Sequence, residues 1–216
     1  MSTIKHILKK IFPFIFKFNH IGKGQKNTED INTLFDGDDK LFKSVLINTI
    51  NYGEYGTGKS TVWVLNNTNA IICTVDSDKV WIDHVKCGVA DNNRLIAKWV
   101  NAGDIGDWGI PLSYSHRHNF KSYTDFMWQQ ENKPSVVLID GRFRVCCFLT
   151  VLKYADQGTK ILFDDYAERR RYHIVEEFVQ PTETCGRQYL FVVPPKHCID
   201  QLLINEYIEK FRFVIE

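Results

Sequence analysis

The chain has 216 residues, 44% of them hydrophobic and 25% charged, and a net charge of +1. That length suits one α/β domain with additions, and the composition is that of a globular protein rather than a disordered or fibrous one. So small a net charge gives no global field to draw nucleic acid, and no run approaches the roughly 18 apolar residues of a membrane span.

Residues 1–40 read as an appendage and 41–216 as the α/β domain. The segment from Ile4 to Phe18 mixes lysines with an apolar, phenylalanine-rich core that Lys17 interrupts, and no small-residue cleavage site follows it. It reads as a surface that docks on a partner protein or lies at a membrane interface, or as a helix packed on its own domain. Residues 19–40 are polar, glycine-bearing and acidic, and read as a linker. Six cysteines without metal-type spacing imply reduced, mostly buried thiols. The expected location is cytoplasmic, at the inner face of the membrane if Ile4–Phe18 binds there.

Within the domain, Leu41–Ile50 predicts a helix. Strands are expected near 50–55, 70–76, 95–100, 135–140 and 160–164, with helical segments between most of them. That alternation argues for a Rossmann-like, mostly parallel sheet with helices on both faces. Arg142–Ala155 has apolar residues at helical spacing directly after Val136-Val137-Leu138-Ile139. Two late strands, Tyr172–Val179 and Tyr189–Val193, separated by a turn near Cys185-Gly186, predict an antiparallel edge. Ile199–Phe213 closes the pattern as an amphipathic helix.

The stretch Ile50–Asp78 carries the strongest chemical signal. Gly56 and Gly58 permit a tight turn and close backbone approach to a ligand, and a helix from about Lys59 points its free N–H groups into that turn. Asp76 stands 20 positions after Gly56, at the end of a strand, where an acid accepts the hydroxyls of a ribose. The same letters, Gly53 to Ser60, also satisfy G-x-x-x-x-G-K-S/T. In that phosphate-cradling loop Lys59 would reach the β/γ-phosphates and Ser60 a Mg²⁺, making the chain an ATP-dependent phosphotransferase.

Ligands in an open α/β sheet sit outside the carboxyl ends of the strands. Here those ends carry Glu54, Asp76, Asp140, Asp164 and Asp165. Three converging acids at 140, 164 and 165 need a proton, an arginine or a divalent cation between them, and hard oxygen ligands suit Mg²⁺. Arg142 and Arg144 stand beside Asp140, where they would neutralise it or hold an anionic acceptor.

The ordered set resembles a class I S-adenosylmethionine-dependent methyltransferase: Glu54-x-Gly56-x-Gly58, a strand ending in Asp76, Ile139-Asp140-Gly141, then Asp164-Asp165-Tyr166. More narrowly it is similar to the metal-dependent O-methyltransferases of sugars and catechols. The resemblance implies that Glu54, Gly56, Gly58 and Asp76 bind S-adenosylmethionine, and that Asp140, Asp164 and Asp165 hold Mg²⁺ or another divalent cation. Two departures are Arg142-Phe143-Arg144, where many relatives have an acid or histidine, and Lys59-Ser60 in the turn.

The glycine- and acid-rich loop after the third strand adds Asp104 and Trp108 as residues that close over the cofactor's adenine side, or simply form a packed turn. His116 and His118 hang over the same edge. The run Arg169-Arg170-Arg171 invites contact with an anionic acceptor or a lipid phosphate. Methyl transfer to a hydroxyl needs its proton removed, and Asp140, His116 and His173 are the candidate bases. Arg142, Arg144 and Tyr166 are the candidate acceptor contacts. The expected activity is O-methylation of a small molecule, sugar or surface-glycan acceptor, an anionic one on the evidence of the arginines. A catalytically silent methyltransferase-like subunit is the further alternative.

Overall fold

The structure, a computed structural model, describes residues 34–36, 38–88 and 93–216. The segment Ile4–Phe18 and most of the linker expected over 19–40 lie outside them. Among the described residues no helix is long and apolar enough to cross a membrane.

The described chain runs α1 (Lys40–Leu46), β1 (Asn51–Tyr55), α2 (Lys59–Asn67), β2 (Ile71–Asp76), α3 (Lys79–Gly88) and β3 (Leu95–Trp99). It continues through α4 (Phe120–Asp125), β4 (Val136–Ile139), α5 (Arg144–Tyr154) and β5 (Lys160–Phe163). A hairpin, β6 (Glu183–Cys185) with β7 (Gln188–Val192), and α6 (Gln201–Phe211) complete it. The seven strands form one sheet in the order β3-β2-β1-β4-β5-β7-β6. β1 to β5 pair in parallel, and β7 runs antiparallel to both β5 and β6. The expected mostly parallel sheet with an antiparallel edge is what the chain forms.

Strand periodicity divides the core in two. Tyr55, Val75, Val137, Ile139, Ile161, Phe163 and Phe191 face α4, α5 and α6, whereas Tyr52, Ile72, Val136, Leu138, Leu162 and Leu190 face α1, α2 and α3. Successive side chains on a strand point to opposite faces, so a strand covered by helices on both sides must be apolar throughout. The sequence Val136-Val137-Leu138-Ile139 is such a strand, and all four residues are buried.

One expected element changes kind. Tyr172–Val179 was expected to be a strand, but Arg170–Glu177 is a 3₁₀ helix. Its buried residues are Tyr172 and Val175. A spacing of three puts both on one side of a helix with three residues per turn, whereas a strand would send them to opposite faces. The antiparallel edge is the β6–β7 hairpin instead, turning at Gly186 with φ +55°.

Chain direction reverses between β1 and β4: the path from β1 moves out to β2 and β3, then returns to β4 on the other side. The turns that leave β1 and β4 touch at this switch point. A Cβ on Gly56, whose φ is +99°, would lie 2.7 Å from the Gly141 nitrogen; one on Gly141 would lie 2.7 Å from the Gly56 nitrogen. Only two glycines allow the backbones so close. Gly58 differs, since a Cβ there would meet nothing within 4 Å. Gly56→Ala should therefore lower stability by about 2–4 kcal/mol through backbone strain and steric overlap. Gly58→Ala should leave stability nearly unchanged. Urea denaturation of the two variants side by side checks the contrast.

Candidate functional site

β1 continues through Tyr55, with Gly53 paired to Cys73 and Val137 inside the sheet. Only Gly56, Thr57 and Gly58 separate β1 from α2. That turn is too short to wrap a row of phosphates, because the first three letters of the G-x-x-x-x-G-K-S/T pattern lie within the strand. Nor is Ser60 placed to bind a cation: its hydroxyl donates to Glu54 Oε1, and Thr61 Oγ1 donates to Glu54 Oε2 at 2.7 Å. Lys59 is exposed. The P-loop reading is corrected on these grounds.

Glu54 is fully buried and fastens β1 to the first turn of α2. Burial drives its pKa up to about 8, against the pull of the Ser60 and Thr61 hydroxyls, and Asp140 raises it further. Gly56 shapes the turn and Gly58 leaves it open.

Asp76 ends β2 beside this turn. Its Oδ2 accepts the Thr57 N–H and its Oδ1 the Asp78 N–H, both at 2.7 Å. Each carboxylate oxygen keeps a second lone pair, so the group is fixed in direction with capacity to accept ligand hydroxyls. Burial raises its pKa to about 6, opposed by those two N–H groups and by the charge of Arg142. Over Asp76 folds the loop after β3. Ser77 Oγ donates to the Gly109 carbonyl at 2.8 Å, and a Cβ on Gly109 would lie 3.7 Å from Asp76 Oδ1. Trp108, with φ +60°, projects from this loop 74% exposed, and Asp104 is exposed as well. His116 packs against Gly103 at the base of the loop, its ring within 5.9 Å of His118.

One ligand oxygen from each of Asp140, Asp164 and Asp165 lies within 4.8 Å of the others, so the three acids do converge. Guanidinium groups, however, already engage them. Arg187 holds Asp164 through both oxygens, Nε to Oδ1 at 3.1 Å and Nη2 to Oδ2 at 2.7 Å, and its Nη1 lies 3.5 Å from Asp165 Oδ1. Arg169 and Arg144 share Asp165 Oδ2, at 2.7 and 3.2 Å, and Arg144 also meets Asp140 Oδ1 at 3.2 Å. Three carboxylates face three arginines. Among the described residues only Asp140 Oδ2 has no guanidinium partner. The donor set does not fit a resident divalent cation, which would need several of these oxygens at once.

Burial raises the Asp164 pKa, and the same carboxylate raises that of Arg187. The Nε hydrogen bond to Oδ1 and the close approach of Nη2 to Oδ2 favour the ionised pair.

Other expected contacts are also relocated. Arg144 is 3% exposed. Besides the two acids, it donates to the carbonyls of Gly141, Asp164 and Asp140 at 2.9, 2.7 and 3.0 Å. Four hydrogen bonds and the Asp165 ion pair engage all three of its nitrogens, so it clamps the ends of β4 and β5 instead of serving as an acceptor contact. Tyr166 is fully buried, its hydroxyl 2.9 Å from Glu176, and belongs to the core. His173 stacks on that tyrosine with 4.7 Å between centroids, and its Nε2 lies 3.2 Å from the Tyr166 carbonyl, which makes it an N–H donor rather than a base at that atom.

Arg142 is the exception. Its backbone N–H meets the Tyr123 hydroxyl at 3.0 Å, its Nη1 donates to the main-chain oxygen of Glu216 at 2.6 Å, and its buried Nε has no partner. Burial lowers its pKa and the neighbouring Arg144 adds to that. The residue lies at the mouth of the β1–β4 crevice, one position beyond Gly141.

A methyltransferase-like protein from Silicibacter pomeroyi superposes on the chain with a TM-score of 0.73 at 29% identity, over 87% of this chain and 96% of that one. The chain has the class I methyltransferase fold. Weaker matches are the MycE methyltransferase of the mycinamycin pathway in complex with Mg and SAH (TM-score 0.46, 13% identity, 73% of this chain and 45% of that one) and the N-methyltransferase NodS of Bradyrhizobium japonicum in complex with S-adenosyl-L-homocysteine (0.45, 11%, 78% and 94%). No family model and no curated protein matches the sequence. The methyltransferase resemblance carried by the motifs holds in the strand order and in the antiparallel β7.

Sequence reasoning missed Arg187, Tyr123 and Thr61, each of which shapes the site. Arg187 sits in a hairpin turn with no motif around it, and its partners Asp164 and Asp36 lie 23 and 151 residues away. Thr61 was legible in principle, as the residue three after Gly58 at a helix start.

Glu54 links the site to stability. Its folded pKa of about 8 exceeds the ordinary 4.5, so the folded state binds the extra proton between those values. That contribution is complete below about pH 4.5 and is lost as pH rises through about 8. Glu54→Gln keeps the acceptor and removes the titration. The fall in stability from pH 5 to pH 8, measured by urea denaturation, should be shallower in this variant than in the parent protein.

Proposed function

We propose that the protein transfers a methyl group from S-adenosylmethionine to a hydroxyl oxygen of an anionic acceptor, a sugar acid or a sugar phosphate. The observation that carries this reading is the meeting of the Gly56–Gly58 turn, the oriented carboxylate of Asp76 and the Gly141–Arg142 turn at the point where strand order reverses. An open α/β sheet binds its ligand there.

Bound S-adenosylmethionine would supply an electrophilic methyl group on a sulfonium. Asp76 would accept the ribose hydroxyls through the lone pairs its backbone donors leave free. The space beside Gly58 admits the ligand's backbone-hugging portion, and the loop from Gly103 to Gly109 covers the ribose side. Asp140 is the group we assign to the acceptor's proton. Its Oδ1 is pinned by Arg144 and its side chain is 31% exposed, which leaves Oδ2 free of a guanidinium to act as the base. Arg142 would orient the acceptor by its anionic group. Holding two reactants in line supplies much of the rate in such a transfer.

Calorimetric titration with S-adenosylhomocysteine tests the cofactor half. Micromolar binding is expected, weakened about tenfold or more by Asp76→Asn and unchanged by Lys59→Ala, since hydrogen bonds to a charged group carry that much. Affinity should also fall as pH drops below about 6, where Asp76 takes up a proton and no longer accepts as an anion. Binding of Mg²⁺-ATP alone would sink the proposal, and no binding of either would leave a catalytically silent subunit. Once an acceptor turns over, Asp140→Asn should lower kcat by about 10²-fold or more with little change in KM. An unchanged kcat would remove Asp140 from the role of base.

A further inference from the structure

Arg142 is a buried arginine with an unpartnered Nε, and the group that lies against it is the chain's own Glu216. Beyond α6 the chain returns over the carboxyl edge of the sheet. Phe213 reaches the Phe120 ring at 6.4 Å, and Ile215 packs on the core. Glu216 then turns its carboxylate inward. The side chain is only 5% exposed, with Oε2 3.2 Å from Arg171 Nε. The Val145 N–H, on the second residue of α5, lies close enough to help hold the carboxylate's pKa down. The main-chain oxygen of Glu216 accepts from Arg142 Nη1.

Arg171, Arg144 and Arg142 bring positive charge to the Glu216 carboxylate, and the N-terminus of the 11-residue α5 lies beside it. Burial raises the Glu216 pKa while Arg171, Arg144 and Arg142 oppose that, as expected for an anion held in a pocket of cations. A residue of the chain thus shows by its own contacts what the pocket accepts: a planar or tetrahedral oxyanion, within reach of the charge of Asp76's neighbour Arg142.

We propose that Arg142, Arg171 and the first turn of α5 form the subsite for the acceptor's oxyanion, a carboxylate or a phosphate monoester, and that Glu216 occupies it as a built-in competitor. The acceptor gains entry by displacing that carboxylate. Arg142 exchanges the main-chain oxygen of Glu216 for an oxyanion oxygen and gains a partner for Nε; Arg171, whose side chain is 59% exposed, swings with the incoming group. This inference rests on the reading of the crevice as an acceptor site, but its chemistry is independent of the cofactor.

The test uses the full chain, with and without saturating S-adenosylhomocysteine, titrated calorimetrically with glucuronate, glucose 6-phosphate and glucose. Both anions should bind and glucose should not; the tighter anion assigns the acceptor as carboxylate or phosphate. Glu216→Gln should tighten the anion by about tenfold, the worth of a hydrogen bond to a charged group, and Arg142→Met should abolish binding. Arg171→Met, at an exposed position that cannot endanger folding, should weaken binding about tenfold. Anion affinity unchanged in Glu216→Gln, or retained in both arginine variants, or matched by glucose, would overturn the subsite. If S-adenosylhomocysteine fails to bind while the anions keep their dependence on Arg142 and Glu216, the cofactor reading falls and the subsite stands.

Discussion

The carboxyl edge of this sheet depends on one buried guanidinium. Arg144 leaves the first position of α5 and reaches back across the ends of two strands, taking the carbonyls of Asp140, Gly141 and Asp164 and the carboxylates of Asp140 and Asp165. A buried charge is tolerable only when it is paired and hydrogen-bonded, and here each of the three guanidinium nitrogens has a partner. With Arg187 and Arg169 it lets three acids stand together without an ion. The turns that carry Gly141 and Asp165 are held at fixed spacing as a result, and the crevice beside β1 inherits that rigidity.

Backbone strain gathers at the same edge. Among the described non-glycine residues with positive φ, Trp108, Phe143 and Asp165 follow β3, β4 and β5 in turn. A bulky residue such as Phe143 in the left-handed region is costly, and it persists only where surroundings over-determine it. Phe143 is buried against Phe120 and Tyr123, with ring centroids 4.7 and 5.5 Å away. Those contacts force the chain to turn sharply between β4 and α5. The sharp turn in turn brings the Arg142 N–H to the Tyr123 hydroxyl and aims the first turn of α5 over the crevice.

How much of this the sequence disclosed depended on the range of the interaction. The strands and the helices flanking them were legible because burial on two faces imposes continuous apolar runs such as Val136–Ile139, and turn glycines mark their ends. The positions of Gly56, Asp76 and the three converging acids followed from that order. Their partners did not. Whether Asp164 meets a cation or an arginine is decided by Arg187, which the β6–β7 hairpin delivers from a distant part of the chain. Likewise Glu54, Ser60 and Thr61 fit two motifs equally well as letters, and only the extent of β1 through Tyr55 distinguishes them. The 3₁₀ helix at Arg170–Glu177 was misread because a spacing of three over so short a run leaves little periodicity to detect.

Arg142 and Arg144 show why motif letters alone assign charge poorly. Two positions apart and both buried, they have opposite surroundings: one finds a hydrogen-bond partner for every guanidinium nitrogen, the other lacks one at Nε. A fully partnered arginine is part of the frame. An under-partnered one, placed where the strand order reverses and already leaning on the main-chain oxygen of the chain's own Glu216, retains binding capacity. Such a division suits methyl transfer, in which the acceptor must be held in line and the reacting oxygen must stay free. An oxyanion remote from that oxygen is the natural handle: it gives affinity and direction without touching the atoms that react. The frame built by Arg144 then fixes where Arg142 stands, and the acidic cluster with its arginines holds the ends of β4 and β5 in place beside it.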